Sequence, residues 1–297
     1  MIVITAYFNP LRSPYKEINC TTFLGSISRQ IDTLNSGRRL IIGECVYGDE
    51  LRGGMPGGPV YHNHREDHYV FRSKSRLWHR EAIINAIVAD LKDDFIWVDC
   101  DLLFERRDWL KEAEKKLETC DLIQPWSLAH FLDFNGKIAD SWPSFGLGCE
   151  YGRVPKWWYS TGFAWGMKYE TWKAVGGLPD YHIVGGADHH FSSAAINEPC
   201  KFKYAEKKVN LDSAAWSSTI KKVGCIAGTI KHLWHGSQEA RQLSTRIQIL
   251  EEAGFDPEKH LVRNKYGLWD WNSDQSGELE KRVNGFFRRR DSEVKIF

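Results

Sequence analysis

The chain has 297 residues, 42% of them hydrophobic and 27% charged, with a formal net charge of +1. That length is enough to bury a substantial core, and the composition is ordinary for a soluble globular protein rather than a disordered or fibrous one. A charge this close to zero excludes a global field for nucleic acid or acidic membranes and leaves only local patches.

Residues 2–8 read as a buried first strand, ended by Asn9-Pro10. No basic leader or long apolar segment precedes it, and no apolar run reaches transmembrane length. A cytoplasmic protein with no membrane span is therefore expected. A helix is expected over 21–35 and a second strand over 39–46. The Gly/Pro-rich stretch 52–60 is a loop that lacks the GK[ST] ending of a phosphate-cradling loop. His62, His64 and His68 follow in a polar segment, with no carboxylate or cysteine to complete a compact metal site.

The clearest helix covers 75–92, where Ile84, Ile87, Val88 and Leu91 form an apolar stripe. A strand over 95–98 runs directly into Asp99-Cys100-Asp101. A second amphipathic helix is expected over 106–118 and a short strand over 121–126. This alternation defines an α/β fold with a largely parallel sheet. Residues 130–160 are aromatic, Gly-rich and irregular, as loops around a site or a small antiparallel insertion would be. A strand over 159–167 and a short helix over 169–175, closed by Gly176-Gly177, come next. A helix is expected over 237–253, with Leu243, Ile247 and Leu250 in register and Gly254 at its end. Arg288-Arg289-Arg290 reads as a solvated face.

Seven cysteines without CxxC spacing argue for free thiols rather than a disulfide framework or a cysteine zinc site. Thirteen tryptophans are many. Each needs a buried ring with a partnered N–H, or a sugar or base to stack on.

Asp99 and Asp101 stand at the carboxyl end of a strand, where open α/β sheets bind ligands. Residues i and i+2 of a strand point the same way, so two carboxylates on one side, together with diphosphate oxygens, suit Mg²⁺ or Mn²⁺. About one such tripeptide is expected by chance in a chain of this composition. Its context, between Phe95-Ile96-Trp97-Val98 and Leu102-Leu103-Phe104, favours a metal that offsets the burial of charge. The alternative is a strand-end turn with two solvated carboxylates.

On these residues the chain resembles the GT-A glycosyltransferases, and within them a bacterial and phage branch related to family 2 transferases and galactosyltransferases. Thr5, Tyr7 and Asn9 are similar to the segment that opens the nucleotide pocket. The stretch from Trp78 to Asn85 resembles the family's basic–Glu–x–x–x–Asn helix, which implies Arg80 near the nucleotide or pyrophosphate. Trp97-Val98-Asp99-Cys100-Asp101 matches the metal motif, in which the second Asp takes the metal and the first contacts the ribose or a metal water. Thr161-Gly162-Phe163-Ala164-Trp165-Gly166 is similar to the segment that lines the donor sugar. Gly185-Gly186-Ala187-Asp188 resembles a Gly-Gly-Glu-Asp motif whose Asp is the general base, although Ala187 replaces the Glu and His189-His190 follow it. His232-Leu233-Trp234-His235-Gly236 resembles the late His that completes the metal site, with His235 preferred and His232 the alternative.

The resemblance implies a single GT-A domain over 1–297: a mostly parallel, Rossmann-like central sheet flanked by helices, with a small antiparallel or loop acceptor region. Residues 1–126 would hold the nucleotide sugar, 127–236 the acceptor and catalytic groups, and 237–297 a C-terminal helical extension. The implied catalytic base is Asp188. The implied donor-binding residues are Thr5, Tyr7, Asn9, Arg80, Asp99, Trp165 and Gly186. The implied metal ligands, for Mn²⁺ or Mg²⁺, are Asp99, Asp101 and His235. The implied donor is a nucleoside-diphosphate sugar, a UDP-sugar above others. The acceptor is a glycan, a small molecule or modified DNA, with Trp157 and Trp158 as an acceptor platform. A DNA transferase would use the basic set Arg72, Lys74, Arg76, Arg282 and Arg288–Arg290. A sugar-binding protein without activity, its acidic pair holding calcium, leaves Asp188 and the 80–85 segment unexplained. No G-x-G-x-x-G turn follows the first strand, which speaks against a dinucleotide-binding dehydrogenase.

Overall fold

Alternate residues of the first strand enter two different cores. Ile2, Ile4 and Ala6 pack into one, and Val3 and Tyr7 into the other. This period of two places a sheet in the middle of the molecule with apolar layers on both faces. The residues described are 1–33, 37–47, 66–152, 159–242 and 245–291 of a computed structural model.

In chain order the elements are β1 (Ile2–Phe8), α1 (Pro14–Thr33), β2 (Arg39–Tyr47), β3 (Glu66–Ser73), α2 (Arg80–Leu91), β4 (Phe95–Val98), β5 (Leu102–Phe104) and α3 (Trp109–Leu117). Then follow β6 (Leu122–Gln124), β7 (Leu128–Leu132), β8 (Ile138–Pro143), α4 (Phe145–Glu150), β9 (Ala164–Met167), α5 (Tyr169–Ala174) and α6 (Ala187–Ala195). The last part holds α7 (Glu206–Thr219), β10 (Val223–Cys225), β11 (Thr229–His232), α8 (Gln238–Arg241), α9 (Arg246–Glu252), α10 (Pro257–His260), β12 (Leu261–Arg263), β13 (Trp269–Trp271) and α11 (Gly277–Asp291).

The central sheet has seven strands in the order β10-β6-β9-β4-β1-β2-β3. β1, β2, β3 and β4 run parallel, as do β6 and β10, while β9 is antiparallel to both β4 and β6. A second sheet, β5-β11-β7-β8, supplies the small, partly antiparallel region, and β12 and β13 form a separate pair. The expected α/β class, with a mostly parallel central sheet and flanking helices, is the one observed. α2 covers one face through Ile83, Ile84, Ile87 and Val88, while α1 and α3 cover the other. Each buried aliphatic side chain contributes about 1.5–3 kcal/mol. A third cluster joins Leu250 of α9 and Val283, Phe286 and Phe287 of α11 to Leu77 and Ile183, which docks the C-terminal helices beside the central sheet.

Several element boundaries differ from the sequence expectation, each for a local reason. α1 begins at Pro14, ahead of residue 21. Proline suits a first helical turn, and Asn9 Oδ1 accepts from the Ser13 N–H just before it (2.8 Å). α2 begins at Arg80 rather than 75. Asp270 Oδ1 accepts from the Ser73 hydroxyl and from the Lys74 and Ser75 N–H groups, which holds 73–75 as a turn. The helix expected over 237–253 is two helices, because Gln242 adopts a left-handed conformation (φ 48°) that ends α8. β3 was not expected; on it His68 meets the buried carboxylate of Glu44 at 2.8 Å. The loop 52–60, His62, His64, Trp157, Trp158 and Leu243 lie outside the described residues. None of the seven cysteines is in a disulfide. Among the described residues no helix is long and apolar enough to cross a membrane.

Candidate active site

The carboxyl ends of β1 and β4 open into a cleft of about 400 Å³. This is where an open α/β sheet places its ligands. Tyr7 and Phe8 line it from β1, and Asp99, Cys100 and Asp101 line it from the turn between β4 and β5. Arg80 enters from the start of α2, Asp188 from the first turn of α6, and His232 and His235 from the end of β11.

Backbone pairing brings the acid and the histidines together. β11 runs antiparallel to β5, so His232 lies opposite Leu102, and the Leu233 N–H donates to the Asp101 carbonyl (2.8 Å). Asn19 of α1 donates to the Trp234 carbonyl (3.0 Å) and fixes the segment that carries His235. Asp101 Oδ2 then lies 3.3 Å from His235 Nε2 and 3.6 Å from His232 Nε2, and the two imidazole nitrogens are 3.2 Å apart. One ligand atom from each residue falls within 4.8 Å of the others.

This donor set fits a divalent cation. Two imidazoles and a carboxylate converge, and Asp101 Oδ1 and His235 Nδ1 are buried without hydrogen-bond partners. A buried carboxylate oxygen without a donor is costly unless something else satisfies it. Burial favours the neutral form of Asp101, but His232, His235 and Arg241 outweigh it and hold the carboxyl well below its usual range. Burial, and then Arg241, push His235 well below its usual value. It is therefore a neutral imidazole, the form that ligates metals.

Asp99 stands outside this cluster, although the sequence paired it with Asp101 as a ligand. The DCD segment is a turn beyond the end of β4, so its two carboxylates diverge instead of sharing the face of a strand. Both Asp99 oxygens accept from Arg80 Nη1 (3.0 and 3.2 Å), while Arg80 Nε donates to the buried Glu81 (2.8 Å). Burial opposes the charge on Arg80, yet Glu81, Asp99 and Asp188 keep it protonated. The Asp99 N–H donates to the carbonyl of Phe163 (2.8 Å), whose φ of 82° is unusual for an aromatic residue and marks local strain beside the cleft.

Three residues expected at the donor do not line the cleft. Thr5 is fully buried and donates to the Val98 carbonyl, tying β1 to β4 (2.9 Å). Asn9 bonds Tyr7 and Ser13 and shapes the entry to α1. Trp165 is 1% exposed, packs on Phe145 and Phe191, and donates to the Thr161 carbonyl, so it is core rather than a wall for a sugar. Tyr7, Arg80, Asp99, Gly186 and Asp188 do line the cleft. Gly185 and Gly186 take φ of 84° and 112°, a turn open to glycine that delivers Asp188 to the first turn of α6.

The C-terminal helices add Arg241 and Arg246, which the sequence did not assign, and Arg290, which it placed on a solvated or nucleic-acid-facing surface. Arg241 of α8, Arg246 of α9 and Arg290 of α11 all line the cleft. Of the expected solvated run, Arg288 and Arg289 are exposed and Arg290 is buried. Leu279, Val283, Phe286 and Phe287 recur at helical spacing on the buried face of α11, and Arg290 extends that stripe. That periodicity was the available signal.

No family model matches the chain, and no curated protein matches it. Among solved structures it is similar to the catalytic domain of Drosophila β1,4-galactosyltransferase 7 in complex with xylobiose. The identity there is 13%, over 91% of this chain and 92% of that one, with a TM-score of 0.42. It is also similar to S. aureus TarS, at 12% identity over 99% and 72% of the two chains and a TM-score of 0.46. A third is a mannosyltransferase from Pyrobaculum calidifontis in complex with GDP-Man and Mn²⁺. It is 14% identical over 85% of this chain and 62% of that one, with a TM-score of 0.48. At such distances the chemistry of the cleft itself has to carry the functional argument.

Proposed function

We propose that this chain is a metal-dependent glycosyltransferase that moves a sugar from a nucleoside-diphosphate sugar, a UDP-sugar above others, to an acceptor hydroxyl with inversion. The observation that carries the reading is the convergence of Asp101, His232 and His235 in the cleft that also holds Arg80 and Asp188. Asp101, His232 Nε2 and His235 Nε2 would hold Mn²⁺ or Mg²⁺. When bound, such an ion supplies positive charge to a departing diphosphate.

The chain's own groups have distinct tasks. Arg80, pinned by Glu81 and Asp99, presents a fixed positive charge to the donor. Asp188 takes the proton from the acceptor hydroxyl as that oxygen forms its bond to C1 of the sugar. The bond from C1 to the β-phosphate oxygen breaks on the opposite face, and its electron pair leaves with the nucleoside diphosphate. The attack from behind inverts C1.

The test is turnover. Nucleotide sugars are incubated with the protein and Mn²⁺, release of nucleoside diphosphate is followed, and the anomeric configuration of product is read by NMR. Metal-dependent release from one donor, lost in Asp101→Ala, supports the reading. Retained configuration at C1 would remove Asp188 from the role of base. Binding of free sugars with Ca²⁺ and no nucleotide would replace the transferase by a sugar-binding protein.

A further inference from the structure

Arg246 lines the cleft as a cation that no described carboxylate pairs with. Asp99 and Glu81 are both spent on Arg80. Among the described residues no carboxylate forms an ion pair with Arg246, and its Nε is buried with no hydrogen-bond partner. A guanidinium in that state is costly unless an anion completes it. The Arg246 guanidinium lies against Gly185, where an added Cβ would come within 3.2 Å of Nη1, just before the turn that delivers Asp188.

Arg246 is part of a cluster. The guanidinium carbons of Arg80, Arg246 and Arg290 lie 5.8, 5.9 and 4.5 Å from the centre of the Trp78 indole. An indole ring approached by three guanidinium groups offers each a favourable contact and offsets part of their mutual repulsion. The third cluster of apolar residues fixes α9 and α11 around it, so the platform is preorganised. Because the Arg246 guanidinium packs against Gly185, three residues before Asp188, an anion held by Arg246 would stand beside the turn that carries Asp188.

We propose that the cleft contains a second anion seat, formed by Arg246 and Arg290 over Trp78, that takes a phosphate group carried by the acceptor. This deepens the transferase reading and rests on it for the identity of the acceptor. Planar guanidinium forks match phosphate oxygens in pairs. An acceptor anchored there has its neighbouring hydroxyl held at Asp188, which gives the enzyme a means to select phosphorylated acceptors over neutral sugars.

The experiment is a calorimetric titration of inorganic phosphate into the full chain saturated with Mn²⁺ and UDP, with acetate in a parallel titration. One phosphate is expected to bind without displacing UDP. Arg246→Gln is expected to weaken it by about tenfold or more, Arg246→Lys by less, with Mn²⁺–UDP affinity in both variants within about twofold of the parent. That retained affinity shows that the variants are folded. Phosphate that displaces UDP, or that binds Arg246→Gln as well as the parent, overturns the proposal. Acetate binding as tightly as phosphate overturns the assignment to phosphate. If UDP and other nucleotides do not bind, the same titration is run on the protein alone, with folding checked by thermal melting. Loss of phosphate binding in Arg246→Gln then keeps the anion seat while the transferase reading falls.

Discussion

Asp101 Oδ2 lies 3.3 Å from His235 Nε2, while the same carboxylate's Oδ1 is buried with no hydrogen bond. A structural ion pair between a strand-end acid and a loop histidine would satisfy both oxygens and charge the imidazole. Here burial and Arg241 keep His235 neutral, and His232 approaches the same point from β11. That arrangement suits a shared cation better than a shared proton.

If Asp188 is the base, its carboxylate matters to the transition state and not to donor binding. Asp188→Asn is expected to lower transfer by about 10²–10⁴ while leaving Mn²⁺-dependent UDP binding intact. Steady-state kinetics beside a binding titration separates the two. A parallel loss of UDP binding would place Asp188 on the donor instead.

Arg80 and Glu81 form a buried pair, 7% and 2% exposed. Removing one partner strands the other's charge. Arg80→Ala is expected to cost about 3–5 kcal/mol in urea unfolding, and Arg80→Leu combined with Glu81→Leu and Asp99→Asn appreciably less. Equal losses in the single and combined variants would show that packing, not charge, dominates.

Buried histidines set an acid limit, His79 and His190 among them. Burial pushes His79 and His190 down to about 4 from 6.5. Lowered values mean that the folded state stays neutral while the unfolded chain takes up protons. Stability is thus full above pH 6.5, falls as pH drops through 6.5 toward 4, and levels off below. Between pH 7 and 5 each histidine should cost about 2 kcal/mol. His190→Gln is expected to flatten the profile measured by urea unfolding; an unchanged slope would contradict the assignment.

α2 sits close on the sheet at Gly43, where an added Cβ would come 2.2 Å from Ile83 Cγ2. Gly43→Ala is expected to destabilise by about 1–3 kcal/mol through overpacking. Combined with Ile83→Ala, which makes room, it should cost less than the sum of the two single changes. Strict additivity would mean that the helix shifts to accommodate the methyl.

What was legible in the sequence followed periodic burial. β1, β2, β4 and the stripe of α2 are long enough or apolar enough to announce themselves, and the position of Asp99 and Asp101 at a strand end located the cleft. The division of labour between the two acids was not legible, because it depends on a turn that aims Asp101 at β11 and Asp99 at Arg80. His232 and His235 sit three residues apart, and only the pairing of β11 with β5 shows that both face Asp101. Trp165 and Thr5 lie in segments that resemble donor-binding ones, yet both turn inward, a choice made by tertiary packing. The break at Gln242 is a left-handed non-glycine residue that no local signal marks. That break separates Arg241 from Arg246 and helps bring each to the cleft.

The most direct measurement is a thermal-shift panel of UDP, GDP, CMP, ADP and NAD, each with and without Mn²⁺, on the parent protein and on Asp101→Ala. A ligand at about a hundred times its dissociation constant adds about 2.7 kcal/mol. A Mn²⁺-dependent rise with one nucleoside diphosphate, absent in Asp101→Ala, is the predicted result. A shift with no nucleotide, or one that survives loss of Asp101, would contradict the account.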